Sequence, residues 1–72
     1  MINHNIISQR SFGHDGNDCY IYECVSLIEV SDEHYIVLHS TKVIGWCADE
    51  YTTMMEFNNK ADAGKYYSSR VK

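Results

Sequence analysis

The alternation of apolar and polar positions predicts a run of strands followed by one helix. Cys19 to Val30 is dense in Tyr, Ile, Val and Cys. Successive side chains on a pleated strand point to opposite faces, so Cys19, Ile21, Val25 and Leu27 share one face while Tyr20, Tyr22, Cys24, Ile28 and Val30 share the other. Both faces are partly apolar. This predicts a central strand with a helix over one side and an aromatic surface on the other, which serves as either a second buried layer or a contact site. After a turn at Ser31-Asp32-Glu33-His34, Tyr35 to Ser40 reads as the returning strand. A short break at Ser40-Thr41-Lys42 leads into Val43 to Ala48, where Gly45 hints at a bulge or a close backbone approach. Tyr51 to Phe57 reads either as a fourth strand, by its β-branched and aromatic content, or as the start of a helix capped by Asp49; the strand is preferred.

The two ends of the chain read differently. Ile2 to Phe12, with Ile6, Ile7 and Phe12 among polar residues, suits an edge strand or an ordered arm. The cluster Gly13-His14-Asp15-Gly16-Asn17-Asp18 is the strongest loop signal. Near the C-terminus Asn59 is a natural N-cap with Asp62 in the first turn, and Ala63, Tyr66, Tyr67 and Arg70 share one side of the helix that follows. Gly64 costs such a helix about 1 kcal/mol relative to Ala, which implies tight packing there or a helix held by tertiary contact. The expected fold is α+β: a small antiparallel sheet of three to four strands with one C-terminal helix packed on it. Residues 1–72 are expected to form a single domain, with 1–5 and 71–72 as loose ends.

Composition narrows the class. Hydrophobic residues make up 44% and charged residues 22%, a folded rather than a disordered balance. No apolar stretch approaches the roughly 20 residues of a membrane span, and the N-terminal residues carry no signal-peptide pattern. A cytoplasmic protein without membrane contact is expected. A chain this short buries only roughly 60% of its unfolded surface, so a partner subunit, such as a second copy in a homodimer, is a reasonable source of added stability.

Charge is segregated. From Asp15 to Glu56 there are nine acids and one base, Lys42, a formal −8, while Lys60 to Lys72 holds four bases and one acid, a formal +3. Asp15, Asp18, Asp32, Glu33, Asp49 and Glu50 fall at expected strand ends, where they would form a negative rim able to steer a basic partner. The basic tail suggests the opposite: Lys60, Lys65, Arg70 and Lys72 holding phosphates with Tyr66 and Tyr67 stacking on bases. Net charge of −4 favours the first reading.

No residue pattern points to catalysis or a metal. The three cysteines, Cys19, Cys24 and Cys47, lack C-x-x-C spacing. Cys19 and Cys24, like His34 and His39, are five positions apart and face opposite ways on a strand, so neither pair can chelate. His14 and His34 are placed in loops that could approach each other, and His4 lies near the N-terminus; surface histidines are the default. No G-x-S-x-G, phosphate-binding glycine loop or H-E-x-x-H occurs. We therefore expect no enzyme activity, no cofactor and no metal.

Aromatic residues exceed what one small core hides. Tyr67, Phe57 and Trp46 are expected in the core. Tyr20, Tyr22, Tyr35 and Tyr51, with Asp32, Glu33, Asp49 and Glu50, are expected on a binding face, because tyrosine brings stiff amphipathic contact area. The acidic strands, the surplus of tyrosines and the ending Glu56-Phe57-Asn58-Asn59-Lys60-Ala61-Asp62-Ala63 resemble the small proteins that phages and prophages encode against host factors, anti-CRISPR proteins being the best-known group. The resemblance is one of type. It implies stoichiometric inhibition, in the host cytoplasm, of a nucleic-acid-handling protein with a basic surface, for instance an effector subunit.

Overall fold

The computed structural model describes residues 5–46 and 48–71. Four strands, β1 (Asn5–Gly16), β2 (Cys19–Ser31), β3 (His34–Gly45) and β4 (Asp49–Phe57), are followed by one helix, α1 (Lys60–Arg70). The strands form one antiparallel sheet in the order β1-β2-β3-β4. Tyr51 to Phe57 is thus strand, the preferred of the two readings. No helix among the described residues is long and apolar enough to cross a membrane.

Three boundaries differ from the sequence expectation. Gly13 to Gly16 continue β1, paired with Cys19 to Tyr22, so the loop shrinks to Asn17 and Asp18, with Asp18 taking a left-handed φ of 57°. The Tyr20 ring lies across Gly13, where a Cβ would stand 2.7 Å from two ring carbons, so the aromatic face covers backbone that glycine leaves bare. The break at Ser40-Thr41-Lys42 is absent, because Tyr35, Val37, His39, Thr41 and Val43 keep one unbroken alternation through β3. Of the expected loose ends, residues 1–4 and 72 lie outside the described residues; Asn5 pairs with Glu29, and Val71 packs against the core and donates its N–H to the Tyr67 carbonyl.

Gly45 ends β3 in the manner its position suggested. Its φ is +136°, and a Cβ there would come within 2.6 Å of the Asp18 carbonyl oxygen, so only glycine accepts both the conformation and the approach. The Trp46 N–H then donates to that same carbonyl at 3.3 Å, tying the end of β3 to the β1–β2 turn.

The core is small and lies on one face. Val25 and Leu27 of β2, Tyr35 and Val37 of β3 and Ala63 of α1 form the buried cluster, with Phe12, Phe57, Tyr66, Tyr67 and Val71 packed around it. The helix starts as its cap predicts: the Asn59 side chain accepts from the Asp62 N–H at 2.8 Å and donates to the Asp62 carboxylate at 2.9 Å. Gly64 meets no tight contact, since nothing lies within 4 Å of a Cβ built there.

Candidate functional site

The register fixes what each face displays. On the helix-bearing face the cross-strand rows are Asn5-Glu29-Tyr35-Phe57, Ser8-Leu27-Val37-Met55, Arg10-Val25-His39-Thr53, Phe12-Glu23-Thr41-Tyr51 and His14-Ile21-Val43-Asp49. The opposite face carries Ile6-Ile28-Ile36-Glu56, Gln9-Ser26-Leu38-Met54, Ser11-Cys24-Ser40-Thr52, Gly13-Tyr22-Lys42-Glu50 and Asp15-Tyr20-Ile44. None of the buried core cluster belongs to this second face, on which Ser26 is the one buried position among the described residues.

One end of the molecule collects exposed aromatic and acidic residues. The β1–β2 turn and the Trp46 turn meet there through the bond between Trp46 and Asp18. Trp46 is 86% exposed, and Ile44, Tyr20 and Tyr22 are exposed beside it on the open face. Tyr20 and Tyr22 pack edge to face, with ring centroids 5.2 Å apart and planes at 69°, a geometry that holds both rings stiff. Asp15 shares the row of Tyr20 and Ile44, Glu50 the row of Tyr22, and Asp49 stands next to it at the head of β4. The result is an aromatic tip with Asp15, Asp18 and Glu50 at the same end, Lys42 opposite Glu50, and Asp49 on the helix-bearing face. A shallow recess of about 180 Å³ behind it is lined by Ser11, Tyr22, Cys24, Ser40, Lys42 and Glu50, among others.

The expected binding residues do not all gather there. Tyr20, Tyr22 and Glu50 do. Asp49 and Tyr51 are exposed at the same end but on the helix-bearing face. Asp32 and Glu33 form the β2–β3 turn at the far end of the sheet, so the acids make two separate groups instead of one rim. Tyr35 is a correction: only 6% exposed, it is part of the core, because position 35 falls in the helix-covered row. Its hydroxyl donates to Glu29 at 3.3 Å, and burial together with the Glu29 and Asp32 charges pushes it above the usual phenol range. Trp46 is the reverse correction, expected in the core and found outside, since Gly45 turns the chain away from the last β2–β3 pair. Phe57 and Tyr67 do pack against the core. The Gly45-Trp46 pair was the signal for the missed tip residue: a strand-ending glycine puts the next side chain beyond the sheet.

On the helix-bearing face three strands build a polar bridge that no local pattern revealed. His14 and His39 each place Nε2 2.8 Å from a different oxygen of Glu23, and the Glu23 side chain is only 13% exposed. Burial alone would raise its carboxyl, but hydrogen bonds from both imidazoles and their charge when protonated outweigh it and hold the group below its usual value. His14 and His34, placed in neighbouring loops by sequence, instead sit in strands at opposite ends. Cys19 and Cys24 are free and on opposite faces. Cys47 and His4 lie outside the described residues. Among the described residues no group of three His, Cys, Asp or Glu is placed to hold a metal ion. On the helix, Tyr66 packs on Phe57 with centroids 5.4 Å apart and Arg70 covers its ring at 4.8 Å. Comparison with protein-family models, curated proteins and solved structures returns no match.

Proposed function

We propose that this chain is a non-enzymatic protein-binding module, a stoichiometric inhibitor of the anti-CRISPR type, that occupies the basic surface of a nucleic-acid-handling host protein in the host cytoplasm. The observation that carries the reading is the tip: an exposed Trp and two mutually packed Tyr at the end of the sheet that also holds Asp15, Asp18, Asp49 and Glu50. Interface energy concentrates in Trp and Tyr anchors, while the acids at that end steer a cationic partner and raise its association rate. A basic groove built for phosphates offers both the charge and the flat stacking surfaces that such a tip fits.

The alternative, a small nucleic-acid-binding regulator using the basic C-terminal helix, draws less support. Tyr66 and Tyr67 are half-buried against the core, and Arg70 is engaged with Tyr66, so both rings expected to stack on bases and one of the cations expected to hold phosphates already have contacts within the chain.

The test is capture of host proteins on the immobilised chain at low and moderate salt, repeated with Trp46→Ala, Glu50→Lys and the far-end pair Asp32→Lys/Glu33→Lys. The expected result is one partner, lost at moderate salt and reduced about tenfold or more by either tip substitution, with the far-end pair near wild type. A partner retained by the tip variants and insensitive to salt overturns the reading. Retardation of labelled DNA or RNA that disappears with Lys65, Arg70 and Lys72 would favour the alternative.

A further inference from the structure

We infer that the open face of the sheet is a homodimer interface, in which a second copy of this chain packs sheet on sheet across the rows headed by Ile6, Gln9 and Ser11. Two observations converge on that occupant, and a third sets its strength. The first is charge. The three rows, Ile6-Ile28-Ile36-Glu56, Gln9-Ser26-Leu38-Met54 and Ser11-Cys24-Ser40-Thr52, contain a single charged side chain, Glu56 on the edge strand β4, in a chain where 22% of residues are charged. Glu56 closes the patch at one margin and Lys42 and Glu50 at the other. Loss of charge at the centre with polar residues at the margin is the composition of a buried interface, and a neutral patch is complementary to itself, as two-fold symmetry demands. The acidic tip is not: tip against tip would set Asp15, Asp18, Asp49 and Glu50 against their own copies.

The second observation is what the face displays. Ile6 is 58% exposed and Met54 55%, on opposite edge strands, with Ile28, Ile36 and Leu38 half-buried between them. Gln9 lies over the centre, its side chain donating to the buried Ser26 hydroxyl at 2.9 Å, so the polar atoms there are satisfied, while the Ser11-Cys24-Ser40 row borders the shallow recess. Apolar sheet faces are stable when a second layer covers them, and sheets stack about 10 Å apart. Within one chain the buried cluster draws on the other face alone. The third observation is size. The molecule is a plate with extents of 43 × 27 × 15 Å, and the three rows cover on the order of 400 Å² of its broad face, below the roughly 800 Å² per partner of a standard interface, so the expected dimer is a weak one. The dimer leaves both tips free at its ends, so it does not depend on the partner surface described above.

Sedimentation velocity from micromolar to submillimolar concentration tests the inference, on the wild type and on Ile6→Lys and Met54→Lys separately. Both replaced side chains are more than half exposed, so the monomer fold should survive, as circular dichroism checks. We expect a wild-type dimer weakened about tenfold or more by each substitution, because the two positions lie on β1 and β4 and only a face-to-face contact spans both. Mass-spectrometric measurement of Cys24 alkylation on the wild type needs no variant: the thiol stands on the central strand β2 in the Ser11 row of the patch, and its reaction should slow as concentration rises through the dimerisation range. A wild type that stays monomeric throughout, a dimer that either substitution leaves intact, or Cys24 alkylation independent of concentration would each overturn the proposal. Trp46→Ala, which weakens partner capture, leaves the dimer unchanged.

Discussion

Two glycines carry opposite consequences. At Gly45 the φ of +136° and the 2.6 Å approach of a Cβ to the Asp18 carbonyl leave no room for a side chain, so Gly45→Ala should destabilise by about 1–3 kcal/mol. At Gly64 the backbone is ordinary helix and nothing lies within 4 Å of a Cβ, so Gly64→Ala should stabilise by about 0.5–1 kcal/mol through lower unfolded-state entropy. Thermal melts of the two variants should move in opposite directions. Glu23 supplies the pH dependence at this scale. Its carboxyl is held below the ordinary value of 4.5, so its contribution is complete above that value and disappears as pH falls through the lowered folded-state value. Glu23→Gln should therefore cost about 1–2 kcal/mol near neutrality, and the gap in urea midpoint between variant and wild type should close on acidification. A gap that persists unchanged well below 4.5 would remove the His14-Glu23-His39 bridge as its cause.

At the level of elements, local chemistry placed the boundaries where side chains act on their own backbone. Asn59 caps α1 and Asp62 follows in the first turn, both legible because capping is a contact between residues three apart. Asn59→Ala should lower stability by about 1 kcal/mol, with loss of helical signal at 222 nm on heating preceding loss of the sheet signal. The turn at Asp32-Glu33 was legible for the same reason. The strand boundaries that moved were those decided by a neighbour. Gly13 to Gly16 look like a loop in isolation, but β2 pairs with them and the Tyr20 ring covers Gly13. Ser40-Thr41-Lys42 look like a break, yet β2 and β4 bond them on both sides.

The molecule is a thin plate whose buried apolar core comprises five of the described residues. Stability of about 0.05–0.15 kcal/mol per residue is typical, and a chain of this size stands in the lower part of the usual range. Leu27→Ala, at a position 5% exposed, should cost about 2–4 kcal/mol, a large share of that total, and guanidinium titration should show the variant partly unfolded without denaturant. Acids and apolar surface divide by location: carboxylates at the turns and sheet ends, the neutral patch across the middle of the open face. On the two readings proposed above, that division would give one small sheet a steering surface and a self-association surface that do not conflict.

Alternation along β2 was enough to say that Tyr20, Tyr22 and Cys24 leave by one face and Val25 and Leu27 by the other, because pleating is a property of each strand alone. The choice of which acids become neighbours was not available there. Asp32 and Glu33 are parted from Asp49 and Glu50 by the length of the sheet, Tyr35 goes in, Trp46 goes out, and His14, Glu23 and His39 meet from three strands. Each of these depends on register and on the path of the backbone at Gly45, which are set by pairing between residues far apart in the chain; periodicity determines the face of a strand, and only the assembled sheet determines the company that face keeps.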